Sequence, residues 1–414
     1  MKLAPFLGRP PDLTARQWRV LGLVAIVSLF EQYDTYLFSL NLKQIQAELG
    51  IAESSLGMLG SIVRLGAIFA LPIALMADRW GRRRLLLITV VGYTLLTGAT
   101  ALSPNAESFV FFQFLSRAFA LAETLIAVVV IAEEFDAEHR GWGIGALAAI
   151  QACGAGLAAA MFGFVDMMPY GWRSLYLIGL LPLTMVTYWR RALPETDRFE
   201  KMSADLATTT AFEPIVKLMR SHRRRFWTLM AAVFATGIAV GPATFLAPKY
   251  LQDVHAWTPG AVALLNLAGG FFAIIGNPFA GWLSDRRGRR PVTTAFSVAF
   301  PIVTIAFYSA AGIFSPALWV LLIFTLMGTD VTLSTYGAEL FPTSQRSTAS
   351  GVRSAVRDFG VVLGLGLLTV LYSVTGSNWN TVIVLTVVSL ATPVIVYLTF
   401  PETAGRTLED IAPE

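Results

Sequence analysis

The sequence predicts an all-α membrane protein with twelve transmembrane helices in two six-helix, pseudo-symmetric bundles. Three observations predict it. Of 414 residues, 55% are hydrophobic and 14% charged, whereas a soluble domain carries about 25% charged residues. The apolar residues fall into many separate runs of spanning length, and a bilayer span takes about 20 of them. The loop Asp78-Arg79-Trp80-Gly81-Arg82-Arg83 returns as Asp285-Arg286-Arg287-Gly288-Arg289-Arg290, 207 residues later, which is half the chain. A loop that recurs at a fixed offset marks a repeated structural unit.

Taken in order, the spans fall at 19–41, 56–77, 85–103, 108–131, 142–165, 172–190, 226–248, 258–281, 291–312, 315–338, 350–373 and 378–400. Helices are expected because a backbone in lipid must satisfy its own hydrogen bonds. The runs are too long and too uniformly apolar for ~10-residue barrel strands. The connections are short except for 191–225, which holds Arg191, Arg198, Lys201, Lys217, Arg220 and Arg223 to Arg225. This segment reads as a linker between an N-terminal bundle, 1–190, and a C-terminal bundle, 226–414. Its basic charge reads as topology and lipid contact, with a partner site as the alternative.

Lys and Arg set the orientation. With the N-terminus inside, most of the 31 basic residues are cytoplasmic, and the outer loops hold only Lys43, Arg173 and Lys249. The positive-inside rule then puts both termini in the cytoplasm, in an inner or plasma membrane. The segment before the first span lacks the pattern of a signal peptide. Trp142, Trp172 and Trp227 fall at predicted membrane edges and read as belt residues.

The repeat extends beyond one loop. Pro194-Glu195-Thr196 follows span six and Pro401-Glu402-Thr403 follows span twelve, again 207 apart. Glu133 and Arg140 follow span four; Glu339 and Arg346 follow span ten, each 206 residues on. Both halves hold an even number of spans, so their pseudo-axis runs along the membrane normal, with a solute site near the midplane.

Over essentially its whole length the sequence resembles the major facilitator superfamily. The loop from Asp78 to Arg83 resembles that family's signature loop between spans two and three, with Ala74 where the leading glycine is usual; the second copy keeps Gly281. Glu133 to Gly141 and Pro401 to Glu409 resemble the sugar-porter and organic-ion branch. The resemblance implies alternating access, and gate contacts that close the cytoplasmic side. On these positions the gate residues are Asp78, Arg79, Gly81, Arg82, Glu133 and Arg140, with Asp285, Arg286, Gly288, Arg289, Glu339 and Arg346 in the second half. Arg82 can reach Glu133 or Glu134. The alternative is that these arginines only enforce topology.

Charges inside spans are expensive in lipid and mark function by default. Asp34 lies about 10 Å from the outer end of span one, Arg64 about 12 Å into span two and Arg117 about 14 Å into span four. One carboxylate and two guanidiniums can therefore share a layer. Glu31 lies one turn deeper than Asp34 on the same helix face, and Glu123 and Asp330 are 207 apart. Arginine suits bidentate recognition of a carboxylate, so Arg64 and Arg117 are the candidate substrate ligands, with Tyr33, Gln151 and Asp330. Asp34, Glu31 and Glu123 are the candidate proton carriers. An Asp34–Arg64 pair that opens and closes would switch a proton; a static ion pair is the alternative. Tyr33 could stack on a ring or simply pack, and Asp330 could instead bond to Thr329 or Thr332. Arg353 and Arg357 read as gate elements that snorkel or contact Asp78.

No GxSxG, HExxH or phosphate-cradling loop is present, which argues against an enzyme and against ATP coupling. Cys153 is the one cysteine, and His139, His222 and His255 fall in loops without clustering, so no metal or cofactor is expected. Nucleic-acid binding is not expected either, because the basic residues sit in short loops. The predicted partners are a small solute, protons and the lipid bilayer, with the chain acting as a monomer. The reading is a secondary active transporter of a small organic anion, coupled to protons. Its alternatives are a proton-antiport exporter of organic cations and a sugar-type facilitator. Span five has glycines but no proline from Ile150 to Leu157, whereas the resembled superfamily's exporters usually carry a G-P-x-x-G-G-like run there.

Overall fold

A computed structural model describes residues 11–136, 138–184, 213–342, 345–407 and 411–412; the Asp78 and Arg79 side chains lie outside that description. Among the described residues all regular structure is helical. In the first half of the chain the expected spans correspond to α1 (Ala15–Leu40), α2 (Glu53–Ala74), α3 (Arg82–Ala101), α4 (Ala106–Glu134), α5 (Arg140–Phe162) and α6 (Trp172–Ile178), with the short helices Leu42–Leu49 and Ala77–Trp80 between them. Six follow in the second: α7 (Arg223–Val254), α8 (Pro259–Arg287), α9 (Arg289–Ser309), α10 (Ser315–Glu339), α11 (Arg346–Thr375) and α12 (Asn378–Thr399). All but α6 are long and apolar enough to cross a bilayer. The expected sixth span, 172–190, begins with α6 and continues beyond the described residues. So do residues 191–212 of the expected linker, whose remainder includes the helix Glu213–Ser221.

Local chemistry sets the helix ends. Asn105 caps α4, accepting from the Ser108 N–H at 2.9 Å in a capping box. Thr258 caps α8, with Pro259 at the first helical position. Between α2 and α3 the chain turns at Gly81, φ 91°, and between α8 and α9 at Gly288, φ 99°. Those angles exclude ordinary side chains, which is why glycine recurs in the repeated loop.

The chain divides into two compact units. One comprises Met1–Phe38 and Val63–Ala207, the other Ser39–Ile62 and Thr208–Glu414. The sequence boundary put 39–62 in the first bundle; the structure groups it with the second. Ser39 Oγ donates to the Phe245 carbonyl at 2.9 Å, and the Met58 N–H to Thr369 Oγ1 at 2.8 Å. Polar contacts thus tie Ser39 and Met58 to α7 and α11 within the second unit. Lys249, expected in an outer loop, lies within α7 and is 2% exposed. Its ammonium pairs with Glu53 at 2.8 Å and with Asp253, the acid that also takes Lys43 at 3.0 Å.

In the first unit the core is Val20, Val24 and Val27 of α1 against Val90 of α3 and Ile126 and Val130 of α4. Trp172 is not a belt residue: it is 1% exposed and packs edge-on against Phe109 and Tyr176. In the second unit Phe226, Leu229 and Met230 of α7 pack with Tyr336 of α10 and with Leu340 and Phe400. There α7 and α11 approach closely through glycine. A Cβ on Gly364 would lie 2.2 Å from the Ile238 carbonyl oxygen, closer than real Cβ atoms come. Gly364→Ala should therefore lower stability by about 1–3 kcal/mol, the usual cost of overpacking. Gly22→Ala on α1, where nothing lies within 4 Å, should lose nothing. Thermal unfolding of the detergent-solubilised variants checks the contrast.

Candidate functional site

The first unit buries three carboxyls between α1 and α4. Glu31 is 1% exposed, Asp34 4% and Glu123 0%. Ser28, Glu31 and Asp34 are three residues apart, so they share one face of α1. The facing helix α4 runs antiparallel and offers a partner at each level. Ser116 Oγ donates to Asp34 Oδ2 at 3.3 Å, Arg117 Nη1 reaches Glu31 Oε1 at 3.5 Å, and Ser28 Oγ donates to Glu123 Oε1 at 3.1 Å. The result is a ladder of three polar rungs inside an apolar unit.

Its middle rung is the most fully tied. Arg117 Nη1 donates to Thr35 Oγ1 at 2.6 Å, and Thr35 donates onward to Glu31 Oε1 at 3.1 Å. From α5, Gln151 Nε2 donates to Glu31 Oε2 at 3.2 Å and to Thr124 Oγ1 at 3.3 Å. Gly154, one turn along α5, permits this approach: a Cβ there would lie 1.9 Å from the Leu29 carbonyl oxygen. Gly66 plays the same part for α2, where a Cβ would come within 2.2 Å of the Phe114 carbonyl oxygen and 3.3 Å of Arg117 Cβ. At the outer rungs Asp34 Oδ1 and Glu123 Oε2 are buried without a hydrogen-bond partner among the described residues.

The structure joins Glu31, Arg117 and Gln151 in one hydrogen-bonded set and places Asp34 and Glu123 on separate serine hydroxyls along the same pair of helices. The ion pair it shows for Arg117 is with Glu31, while Asp34 takes the Ser116 hydroxyl. The described ion pair of this layer is Glu31–Arg117. Arg64 occupies the last turn of a helical segment within α2, partly buried. Tyr33 is 0% exposed and its hydroxyl donates to the Leu175 carbonyl at 2.9 Å, so the ring ties α1 to α6, the packing alternative. Sequence reasoning missed Ser28, Thr35 and Ser116. For two of them the signal was present, since Ser28 and Thr35 fall one turn either side of Glu31.

In the second unit Asp330 does not turn to Thr329 or Thr332, whose hydroxyls donate to backbone carbonyls of their own helix. Asp330 Oδ1 accepts instead from Arg357 Nη1 at 3.0 Å and Arg353 Nη1 at 3.4 Å. The two arginines expected at a gate therefore pair with a mid-span acid.

The repeated loops pair in parallel. Arg82, 5% exposed, contacts Glu133 Oε1 at 3.2 Å and the Ala77 carbonyl at 3.3 Å. Its counterpart Arg289 contacts Glu339 Oε1 at 2.9 Å and Ser284 Oγ at 2.7 Å, and pairs with Asp285. Glu134 takes Arg16 at 2.8 Å. Arg286 lies over the Trp282 ring at 4.5 Å, a cation–π contact and not a carboxylate pair. The Nε atoms of Arg140 and Arg346 are buried without a hydrogen-bond partner among the described residues.

Helical spans, mid-span charges held by neutral and charged partners, and repeated ion-paired loops define a membrane carrier. The chain belongs to the Major Facilitator Superfamily: the profile of that family matches residues 24–337. It is 27% identical to the cis,cis-muconate transport protein of Acinetobacter baylyi, over 81% of this chain and 83% of that one. It is 26% identical to the 4-hydroxybenzoate transporter PcaK of Pseudomonas aeruginosa, over 93% and 92%. The solved structure of a D-xylose-proton symporter superposes with a TM-score of 0.76 at 16% identity, covering 94% of this chain and 99% of that one.

Past the last span, Glu402 clamps the second loop. It accepts the backbone N–H groups of Arg289 at 2.7 Å, Arg290 at 3.1 Å and Ala404 at 2.9 Å. Burial pushes its carboxyl up, but the backbone donors outweigh burial and hold it below the ordinary 4.5. The stability this contributes is present above pH 4.5 and is lost as pH falls through the depressed value. Glu402→Gln should therefore melt lower than wild type at pH 7, with the gap narrowing below pH 4.5. Thermal unfolding across that range checks it.

Proposed function

We propose that the protein is a proton-coupled symporter of a small organic anion, working by alternating access in the inner or plasma membrane with both termini cytoplasmic. The carrying observation is the Glu31–Arg117–Thr35–Gln151 knot: a partly buried guanidinium paired with a buried carboxylate and bridged to it by Thr35, with Gln151 on the carboxylate's other oxygen. The two relatives named for muconate and 4-hydroxybenzoate support the solute class, and the xylose-proton symporter supports the coupling.

The knot suggests how the two ligands couple. While Glu31 is ionised it holds Arg117. A proton on Glu31 removes that charge and weakens the pair. Arg117 is then free to form charge-assisted, bidentate hydrogen bonds to a solute carboxylate. Thr35 and Gln151 keep Glu31 partnered in either state, since a hydroxyl and an amide can serve both forms. Asp34 and Glu123, held by hydroxyls with no ion pair among those described, are the further proton positions. Arg82–Glu133 and Arg289–Glu339 act as paired latches on the side of the basic loops, and the solute crosses without chemical change.

Uptake into proteoliposomes, acid outside, against a panel of carboxylates, cations and sugars tests the reading. One carboxylate should accumulate, and a protonophore should collapse its gradient. A cation moving opposite to protons would overturn the reading. Arg117→Lys should raise the apparent KM for the carboxylate about 10-fold or more, the loss expected for a charge-assisted fork. Glu31→Gln should abolish the response to an imposed pH gradient while solute exchange without net proton movement persists. Unchanged gradient-driven accumulation in that variant would remove Glu31 from the coupling.

A further inference from the structure

The second unit holds a charge cluster that the coupling scheme leaves unused. Arg353 and Arg357 lie one turn apart on one face of α11 and converge on a single oxygen of Asp330, at 3.4 and 3.0 Å. Arg357 Nη2 also contacts Asp358 at 3.5 Å. Two guanidiniums offer ten N–H donors, and these contacts engage three nitrogens. Arg353 is 7% exposed, yet its Nε is buried without a hydrogen-bond partner among the described residues.

The pair is built in and not adventitious. A Cβ on Gly237 would lie 2.4 Å from the Arg357 carbonyl oxygen, so α7 clamps the backbone beneath that arginine. A Cβ on Gly337 would press on Arg353 Cδ at 3.1 Å, so α10 supplies both the notch for the arginine stem and, two turns earlier, the acid. Asp330 lies about 13 Å from the end of α10 at Glu339, and Arg357 about 16 Å from the start of α11. Both therefore lie more than two turns inside their helices, away from the loops that hold Arg82–Glu133 and Arg289–Glu339.

A guanidinium fork matches both oxygens of a carboxylate. Here two forks share one oxygen, so Asp330 offsets one of the two positive charges without filling either fork, and Asp358 lies against Arg357 alone. We propose that Arg353 and Arg357 form a second carboxylate-binding site, separate from Arg117, in which Asp330 is an internal placeholder that a solute carboxylate displaces. The proposal rests on the organic-anion reading. The repeat sharpens it: Glu123, the counterpart of Asp330, has only the Ser28 hydroxyl among its described hydrogen bonds. The two halves have thus put opposite uses on equivalent positions, a proton position in one and an anion site in the other.

The test is equilibrium binding of radiolabelled 4-hydroxybenzoate and cis,cis-muconate to the purified full-length protein. Removing the placeholder charge with Asp330→Asn should tighten binding of at least one probe several-fold, including in an Arg117→Lys background. Arg357→Lys keeps the charge and the pairing but loses the fork; it should weaken binding about 10-fold with an unchanged melting temperature. Asp330→Asn binding no tighter than wild type, at an unchanged melting temperature, would make the cluster a static tie between α10 and α11. So would Arg357→Lys binding as wild type does. If Arg117→Lys abolishes binding while the Asp330 and Arg357 variants have no effect, only the second site fails. If wild type binds neither acid but binds a cation, the organic-anion reading fails and this site with it.

Discussion

The cost of charge in a bilayer organises this protein. An ionisable side chain at mid-helix costs about 2.5–3.5 kcal/mol even by the most lenient scales, and a buried ion deprived of its partner about 3–5 kcal/mol. Each such residue must therefore find partners on a neighbouring helix. The α1–α4 ladder is one solution. Glu31 is ringed by Arg117, Thr35 and Gln151, and Ser28 and Ser116 serve the rungs above and below. Those partners reach only if the helices come close. The small residues at the contacts follow from that, Gly154 against Leu29 and Gly66 against Phe114. Packing in this fold is the means by which buried charge becomes tolerable.

The two halves show which parts of the repeat are fixed by physics and which are free to diverge. Gly81 and Gly288 share the same positive φ and the same extended ψ. Arg82–Glu133 and Arg289–Glu339 repeat as pairs. Both are consequences of turning a chain sharply at a membrane face and fixing the next helix. Mid-span, the halves differ. The first unit carries three buried carboxyls beside Arg117, and the second carries two arginines on Asp330. A turn has few solutions, whereas a mid-span polar group needs only some partner of the right chemistry. Divergence therefore collects at the depth where solute and protons would bind.

Much of this was legible in the sequence, for physical reasons. Span lengths follow bilayer thickness, so eleven helices fall where apolar runs of about 20 residues put them. The loop pairs were legible because two copies at one offset point to the same partners. Gln151 was legible because an amide is rare in an apolar span. Tyr33, Trp172 and Lys249 were not. Helical periodicity tells which face of α1 carries Tyr33, but not that the Leu175 carbonyl, far along the chain, waits to accept its hydroxyl. Lys249 reads as a loop residue until α7 is seen to run on to Val254 and to meet Glu53 from the other half of the sequence. The pairing of Asp330 with Arg353 and Arg357 is hidden in the same way, because it is made between helices and not within one.

The same cost explains why an anion and a proton would travel together here. An organic anion entering mid-span alone adds a negative charge to a unit that already holds Glu31, Asp34 and Glu123. Bound with a proton on Glu31, it replaces one carboxylate by another beside Arg117, and the local charge is unchanged. The occupied site is then no more expensive to move through the low-dielectric layer than the empty one. Either ligand alone leaves a surplus charge near Arg117, which opposes the change of state. Coupling of this kind needs no long-range signal. It needs one guanidinium, two competing carboxylates of which one can take a proton, and neutral side chains such as Thr35 and Gln151 that keep the protonated acid partnered.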